Sequence, residues 1–492
     1  MKSPRMKWSN MGKDLNSYIG GKYQPLTEKD IKAVHAGSLK LLSNTGFLIK
    51  SQRALDILDS KGANVDHEKR LVKIPPAMVE DAIASAPSEV RLFGRDDENE
   101  LFLEGRTVHL GTGGTCLNVL DLQTGQSRQT TLKDIGDIAK LVDTLDNLHF
   151  FVIPVHPTDI EKEDVDVNRF YAALSNTSKH VSGGTYTVEG TRNVIRMGQI
   201  LAGGAEQLKE RPLISLFTCT MSPLTTDEVA VEMLIEIASS GVPLICPSEP
   251  MGGSTAPVTL AGILNLANTE SLMGVILSQA VNRGTPVLFG GAATISDMRT
   301  MNYLAGTIEM GLIQAGSAQM GQYYKIPSFG TGGLSDSKIP DVQAGYEKAS
   351  VALTVALAGG NYIHDAAGQL ESAMTVAYEQ YVIDNDIIGT VLRAVKGIVV
   401  NEETLAVDVI DKVGPGGNFL AEAHTLKHMR SEYFSPRVSD RGTREQWEGD
   451  GALDGRERAR RIARETLATH RPLAIPDVMN TKIKNEMPAI RA

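Results

Sequence analysis

Aromatic side chains are scarce in this chain: 11 Phe, 12 Tyr and 2 Trp among 492 residues, together 5%. An aromatic at the end of a predicted strand is therefore worth marking. Cysteine is scarcer, and Cys116, Cys219 and Cys246 form an odd set without a CxxC pair. That argues against a disulfide framework and suits a reducing cytoplasm. No block of Lys and Arg stands out to neutralise phosphates, and the formal net charge is −10, so nucleic acid is not an expected partner. Long apolar runs are missing too. The stretch 260–281 is interrupted by Asn265, Asn268 and Glu270, which speaks against a membrane span. The polar leader before Leu26, with Lys2, Arg5, Lys7 and Lys13, does not read as a secretory signal. There is no P-loop, no GxSxG elbow and no evident nucleophile–base pair.

What is present is a large apolar complement, 42% hydrophobic against 22% charged, enough for an extensive core. Residues 1–105 read as an N-terminal cap of helices and short strands: helices near 26–44, 51–60 and 77–85, and paired strands near 90–93 and 100–103. A period then appears. Short, apolar, β-branched strands near 107–111, 148–155, 180–183, 212–217, 243–246, 286–289, 326–329 and 361–364 are each followed by a loop and a helix. One of those helices is expected over 296–315. Eight such units with buried parallel strands predict an α/β fold, a (β/α)8 TIM barrel over 106–397. A doubly wound open sheet is the runner-up, but no GxGxxG follows the first strand and no switch point is visible. Residues 398–492 are expected as a C-terminal helical extension packed on the barrel.

In a barrel, chemistry sits on the loops after the strands. Three strand ends carry candidate groups. Glu249 follows the fifth strand in Ser248-Glu249-Pro250-Met251-Gly252-Gly253; it either faces a cationic substrate or caps the next helix. His364-Asp365 follows the eighth, with Gln369 and Glu371 close by: a positioned imidazole with an acceptor beside it, or a satisfied core histidine. After the seventh comes Gly332-Gly333, then Asp336, Ser337, Lys338 and Pro340, where helix capping and a solvated lysine are the plain readings. Cys219, Cys246 and His364 lie near strand ends, but no HxxE, HxH or Cys-rich spacing completes a metal set, and none is expected.

The segments Pro247-Ser248-Glu249-Pro250-Met251-Gly252-Gly253-Ser254-Thr255-Ala256-Pro257, Ser335-Asp336-Ser337-Lys338-Ile339-Pro340-Asp341-Val342-Gln343-Ala344-Gly345-Tyr346-Glu347 and Val413-Gly414-Pro415-Gly416-Gly417-Asn418-Phe419-Leu420 resemble the trimethylamine methyltransferase family of corrinoid-dependent enzymes. The resemblance runs from about residue 25 to residue 470. Archaeal trimethylamine members carry pyrrolysine in the barrel, whereas this sequence shows standard residues only. It resembles instead the non-pyrrolysine branch, whose members demethylate quaternary amines, glycine betaine foremost. The resemblance implies transfer of one N-methyl group to Co(I) of a separate corrinoid protein, giving dimethylglycine. The cobalamin then belongs to the partner, and this chain binds none tightly. A quaternary ammonium departs as a neutral amine, so such a site needs neither strong acid nor metal; positioning suffices. The cation is expected against aromatic faces and a carboxylate. The candidates are Tyr186, Phe217, Phe289, Phe329 and Tyr362 with Glu249; alternation along the strands keeps some from facing inward. His364, with Asp365 and Gln369 near it, and the backbone N–H groups after Gly252 and Gly332 are the expected partners of a substrate carboxylate.

Proline betaine and carnitine remain alternative substrates, since pocket shape decides among them. Two other classes stand beside this one: a Schiff-base lyase using Lys338, and a non-catalytic quaternary-amine binding protein. A homo-oligomer is the default assembly.

Overall fold

The computed structural model describes residues 15–491, so most of the polar leader expected before Leu26 lies outside the described residues. Eight strands form one parallel sheet: β1 (His109–Thr112), β2 (Phe150–Val152), β3 (His180–Gly184), β4 (Ile214–Phe217), β5 (Leu244–Ile245), β6 (Val287–Gly291), β7 (Ser328–Thr331) and β8 (Tyr362–Ala367). Their order is β1-β8-β7-β6-β5-β4-β3-β2. The remaining seam closes through the His149 N–H, which donates to Leu110 O at 2.8 Å, and Thr112 Oγ1, which donates to Val152 O at 2.7 Å. The sheet thus curls into the expected TIM barrel.

Around it lie α1 (Leu132–Asp143), α2 (Val165–Asn176), α3 (Val188–Ala202), α4 (Glu228–Ser240), α5 (Leu260–Val281), α6 (Ile308–Tyr324), α7 (Val342–Ala358) and α8 (Tyr378–Lys396). Local chemistry sets their ends. Thr187, Asp227, Thr259 and Asp341 cap N-termini by accepting backbone N–H groups, while Gly203, Gly241 and Gly359 end helices in the left-handed region. The cap before α7 is Asp341, not Asp336 or Ser337. Asp336 instead accepts from Ala305 N, Gly306 N and Ser372 Oγ, joining three loops at the mouth.

Period-2 alternation sorts the strand residues into two cores. Phe150, Val152, Ile245, Leu288, Phe329 and Tyr362 fill the barrel. It is plugged from below by Val90, Leu92, Leu101 and Leu103 of the antiparallel pair Glu89–Phe93 and Glu100–Glu104. Phe151, Val181, Leu244, Val287, Phe289 and Ile363 point the other way, into the helical layer. α5 is the one helix among the described residues long and apolar enough to cross a membrane, and 78% of its apolar window is buried within the protein. Its apolarity on all sides is that of a core helix.

One expected element is wrong. The helix expected over 296–315 starts at Ile308; before it, Thr294–Ser296 pairs antiparallel with Tyr303–Leu304. Asp297 accepts from the Arg299 N–H at 2.8 Å, and Met301 N donates to Asp297 O. This aspartate turn outcompetes helix in a segment where apolar spacing alone suggested one. Beyond α8, helix Gly455–Thr469 lies against the barrel, its Arg456 and Arg460 reaching Glu379 at 3.0 and 3.2 Å.

Candidate active site at the barrel mouth

The site is built where inward-facing residues at the ends of β4, β7 and β8 meet the loops after β5 and β6. In β8, Tyr362 and His364 both face the interior, two residues apart. Phe329 of β7 stacks on both: its ring lies 4.1 Å from His364 at 17° and 5.8 Å from Tyr362 at 19°. Phe217 of β4 lies 6.4 Å from Phe329. Deeper still, Tyr362 stacks on Phe150 at 3.6 Å and is fully buried. These rings form a ladder from the barrel floor to the imidazole.

His364 is fixed from two sides. Its Nδ1 lies 3.0 Å from Asp365 Oδ2, and its Nε2 lies 2.8 Å from Thr331 Oγ1, which also donates to Asp365 Oδ2 at 3.3 Å. Asp365 adopts φ 57° where the pairing of β8 with β1 shifts register between Ile363 and Ala367. A non-glycine residue in that region at a bulge is strained backbone retained for what it positions. The glycines after β1 make room for it: a Cβ on Gly113 would sit 2.1 Å from Asp365 Oδ1, and one on Gly114 1.8 Å from Gln369 Nε2. Asp365 Oδ1 and Gln369 Oε1 are buried without a hydrogen-bond partner. Two adjacent orphan acceptors at a strand end mark a place where a water or ligand donor belongs.

Below the loops, Lys348 and Asp384 hold this end of the barrel. The two are fully buried, with Nζ 3.0 Å from Oδ2. Lys348 also donates to Gly333 O, and Asp384 accepts the Gly368 N–H at 2.7 Å. The pair ties the turn after β7 to the turn after β8.

Glu249 is the third part. Its side chain is solvent-exposed, yet surrounding protein raises its carboxyl pKa by burial; His364 pulls it down and Asp365 pushes it up. Glu249 thus reaches solvent while protein surrounds it closely, within electrostatic reach of His364 and Asp365. Cys219 behaves the same way: exposed, but with its thiol pushed well up by burial and by Glu249. Tyr303 belongs to the same space, its phenol raised well above the ordinary value by burial, Glu249, Asp365 and Asp336. Glu249 does not cap α5, because Thr259 does.

The expected residues fall into groups. Glu249, His364, Asp365, Phe217 and Phe329 come together at the mouth. Tyr362 lies one layer beneath, and Gln369 stands behind Asp365, donating to Cys116 Sγ at 3.6 Å. Tyr186 sits in another cluster, its ring under Arg169 at 4.9 Å and edge-on to His156 at 5.2 Å. Phe289 packs outward on Tyr324 at 5.3 Å. Gly252 and Gly332 approach the helical layer: their Cβ positions would meet Ile263 at 2.4 Å and Ile363 at 2.8 Å. Lys338 is exposed. Tyr303 went unmarked because its segment read as helix; the alternation Thr294-Ile295-Ser296 before an Asp-initiated turn was the available signal. Thr331, directly before Gly332, had none beyond its place at a strand end. Among the described residues, no three His, Cys, Asp or Glu side chains are grouped to hold a metal ion.

This closed parallel barrel gathers titratable groups above the C-terminal ends of its strands, the place where TIM-barrel enzymes have their sites. The chain matches the trimethylamine methyltransferase family over residues 5–489, and it belongs to that family. The trimethylamine methyltransferase of Desulfitobacterium hafniense is 41% identical over 462 residues, 93% of this chain and 92% of that protein. The glycine betaine methyltransferase of Desulfitobacterium hafniense is 34% identical over 466 residues, covering 94% and 96%. The trimethylamine methyltransferase of Methanosarcina thermophila is 36% identical over 456 residues, covering 91% and 94%. Among solved structures, the monomethylamine methyltransferase of Methanosarcina barkeri aligns with a TM-score of 0.48 at 13% identity, over 92% of this chain and 96% of that one.

Proposed function

We propose that this protein transfers an N-methyl group from a quaternary amine, glycine betaine foremost, to Co(I) carried by a separate corrinoid protein, leaving dimethylglycine. The observation that carries this reading is Glu249: a solvent-reached carboxylate whose pKa is raised by burial, within electrostatic reach of His364, on which the Phe329 ring stacks. A desolvated carboxylate without a fixed cation gains from a permanent positive charge that it cannot obtain from water. The methylated nitrogen then rests between Glu249 and the rings of Phe217 and Phe329, where ammonium and π-face attract. The substrate carboxylate lies toward His364, whose two ring nitrogens Asp365 and Thr331 hold.

The partner's corrinoid supplies the nucleophile of the reaction. The chain's own task is to hold the N–CH3 bond in line with the mouth, exclude bulk water and let the tertiary amine leave with its electron pair. That amine departs neutral, so no proton is delivered and no general acid is required. Glu249 acts by charge, Phe217 and Phe329 by contact, His364 and Asp365 by orientation. Relatives named for trimethylamine and for glycine betaine both match over most of the chain, and the standard residues throughout the sequence support the betaine.

The experiment is turnover of glycine betaine, proline betaine, carnitine and trimethylamine with a reduced corrinoid protein, read as demethylated amine by NMR. Dimethylglycine as the main product supports the reading. Faster turnover of trimethylamine reassigns the substrate. Binding without turnover of any amine makes this a binding protein, and borohydride trapping at Lys338 would make it a lyase.

A further inference from the structure

A cation of the protein's own already lies on the ring of Tyr186. Arg169 of α2 reaches over that ring at 4.9 Å, and its Nη1 donates at 3.1 Å to Gly184 O at the end of β3. The arginine is 1% exposed. Its Nε is buried without a hydrogen-bond partner, and among the described residues the guanidinium forms no ion pair. Asp166, one turn earlier on the same helix, acts on it only through space. Both Asp166 oxygens are taken, at 3.0–3.2 Å, by the N–H groups of Tyr186 and Thr187 and by the Thr187 hydroxyl. A buried guanidinium ordinarily meets a carboxylate edge to edge. This one is held flat by a ring and fastened at one carbonyl.

The cluster borders the barrel mouth on two sides. Gly184 pairs with Phe217 across β3 and β4, and a Cβ on Gly184 would lie 3.0 Å from the Phe217 ring. His156 stands edge-on to Tyr186, with its Nδ1 3.3 Å from the Tyr186 hydroxyl. The His156 backbone N–H donates to Cys116 O at 3.0 Å, and the Cys116 thiol accepts from Gln369 beside Asp365. Gly184, Tyr186 and His156 are each half-buried, so water reaches the cluster while the arginine stays covered.

We propose that Arg169, stacked on Tyr186 beside Phe217, is a carboxylate-binding subsite of the barrel mouth. A planar guanidinium with an unmet Nε matches the two oxygens of a carboxylate, and stacking on an aromatic ring pre-sets its plane. Charge selects a carboxylate over a phosphate. Burial and the Arg169 charge hold the His156 imidazole below its usual pKa, so near neutral pH the cluster offers one positive charge, which balances one negative charge and not two. The carboxylate has two possible sources: the acid group of the amine itself, turned toward β3 instead of β8, or a separate small acid bound beside the amine. Binding there does not require methyl transfer, so the inference stands apart from the reaction proposed above.

The test is calorimetric titration of the full chain, and of Arg169→Met and Arg169→Lys, with propionate, glycine betaine, carnitine and tetramethylammonium, which carries the cation without the acid. Arg169→Met is expected to weaken at least one carboxylate probe about tenfold or more and to leave tetramethylammonium unchanged. Where the amine supplies the acid group, the advantage of glycine betaine or carnitine over tetramethylammonium falls by that factor. Where a separate acid supplies it, that advantage survives and propionate alone is lost. An Arg169→Met protein that keeps the wild-type affinity for every carboxylate probe overturns the proposal, as does a wild type that binds none of them. Should Arg169→Met not fold, as judged by circular dichroism, Arg169→Lys decides: it keeps the charge and loses the fork, so weakened carboxylate binding supports the subsite and unchanged affinity overturns it. Turnover is not read, and tetramethylammonium reports on the amine site separately, so failure of the methyl-transfer reading leaves each outcome intact.

Discussion

Two sets of titratable groups sit inside the same barrel and behave oppositely. At the floor, His109, His149 and His180 are dry. His180 is held between Phe93 O at 3.2 Å and Ser215 Oγ at 2.9 Å, and His109 reaches Phe102 O at 3.2 Å. Burial drives the pKa of His109 and of His180 down to about 4, and that of His149 well below its usual value, so they stay neutral in the interior. At the mouth, Glu249 is exposed, while Asp365 and Gln369 keep unmet acceptors. The floor also keeps unmet atoms, Nδ1 of His109 and Nδ1 of His149, but there no exposed side chain lies beside them, whereas the unmet acceptors at the mouth neighbour a carboxylate that solvent reaches. Neither burial nor an unmet polar atom alone therefore marks a functional site; an unmet atom beside water-reached space does.

The comparison can be broken in several ways. The largest effect is expected at the support beneath the mouth. Lys348→Met strands the Asp384 carboxylate in the interior and should cost about 3–5 kcal/mol of stability, read as a lowered denaturant midpoint. A loss under 1 kcal/mol would show that the pair is not a structural tie.

Next comes the pH response of the floor. Its histidines have folded pKa values below the unfolded value, so the unfolded chain takes up protons first as pH falls. Stability is retained above pH 6.5 and lost between about 6.5 and 4, by up to about 3 kcal/mol for each of His109 and His180. Urea midpoints measured across that window should slope less steeply in His180→Gln than in the wild type.

At the mouth the sign reverses. Glu249 has a raised pKa, so the folded state holds its proton longer than the unfolded chain, and the carboxyl's contribution to stability falls as pH rises through that window. Glu249→Gln should therefore leave neutral-pH stability unchanged or slightly higher. It should weaken quaternary-amine binding about tenfold or more, corresponding to roughly 1.4 kcal/mol, and remove the loss of affinity that the wild type shows as Glu249 protonates in acid. Calorimetric titration across pH measures this; unchanged affinity in the variant takes Glu249 out of the cation site. The smallest effect belongs to Lys338→Ala, an exposed loop position expected to change stability by less than about 0.5 kcal/mol and to leave turnover intact.

The eight strand–helix units were legible because buried parallel strands write continuous apolar runs and helices write a 3.6-residue period. That Glu249, His364 and Asp365 lie at the barrel mouth was legible because each follows a predicted strand. The aromatics were only half legible. Phe217 and Phe329 face in while Phe289 faces out, and the short strands let the alternation be stated without fixing its phase. Tyr186 and Tyr362 are engaged by neighbours, Arg169 and Phe150, that no local pattern connects to them.

By itself, the sequence determined the architecture, the rim that carries the candidate residues and the family, since each is written in local periodicity or contiguous motif. Only the tertiary structure decided that Glu249 comes within electrostatic reach of His364 and Asp365, whose carboxylate sits on strained backbone at a bulge. Tyr303 approaches them on a hairpin where a helix was expected. The reason is common to all of these. Each depends on what lies beside a residue in space, and groups separated by more than a hundred positions meet only when the barrel closes.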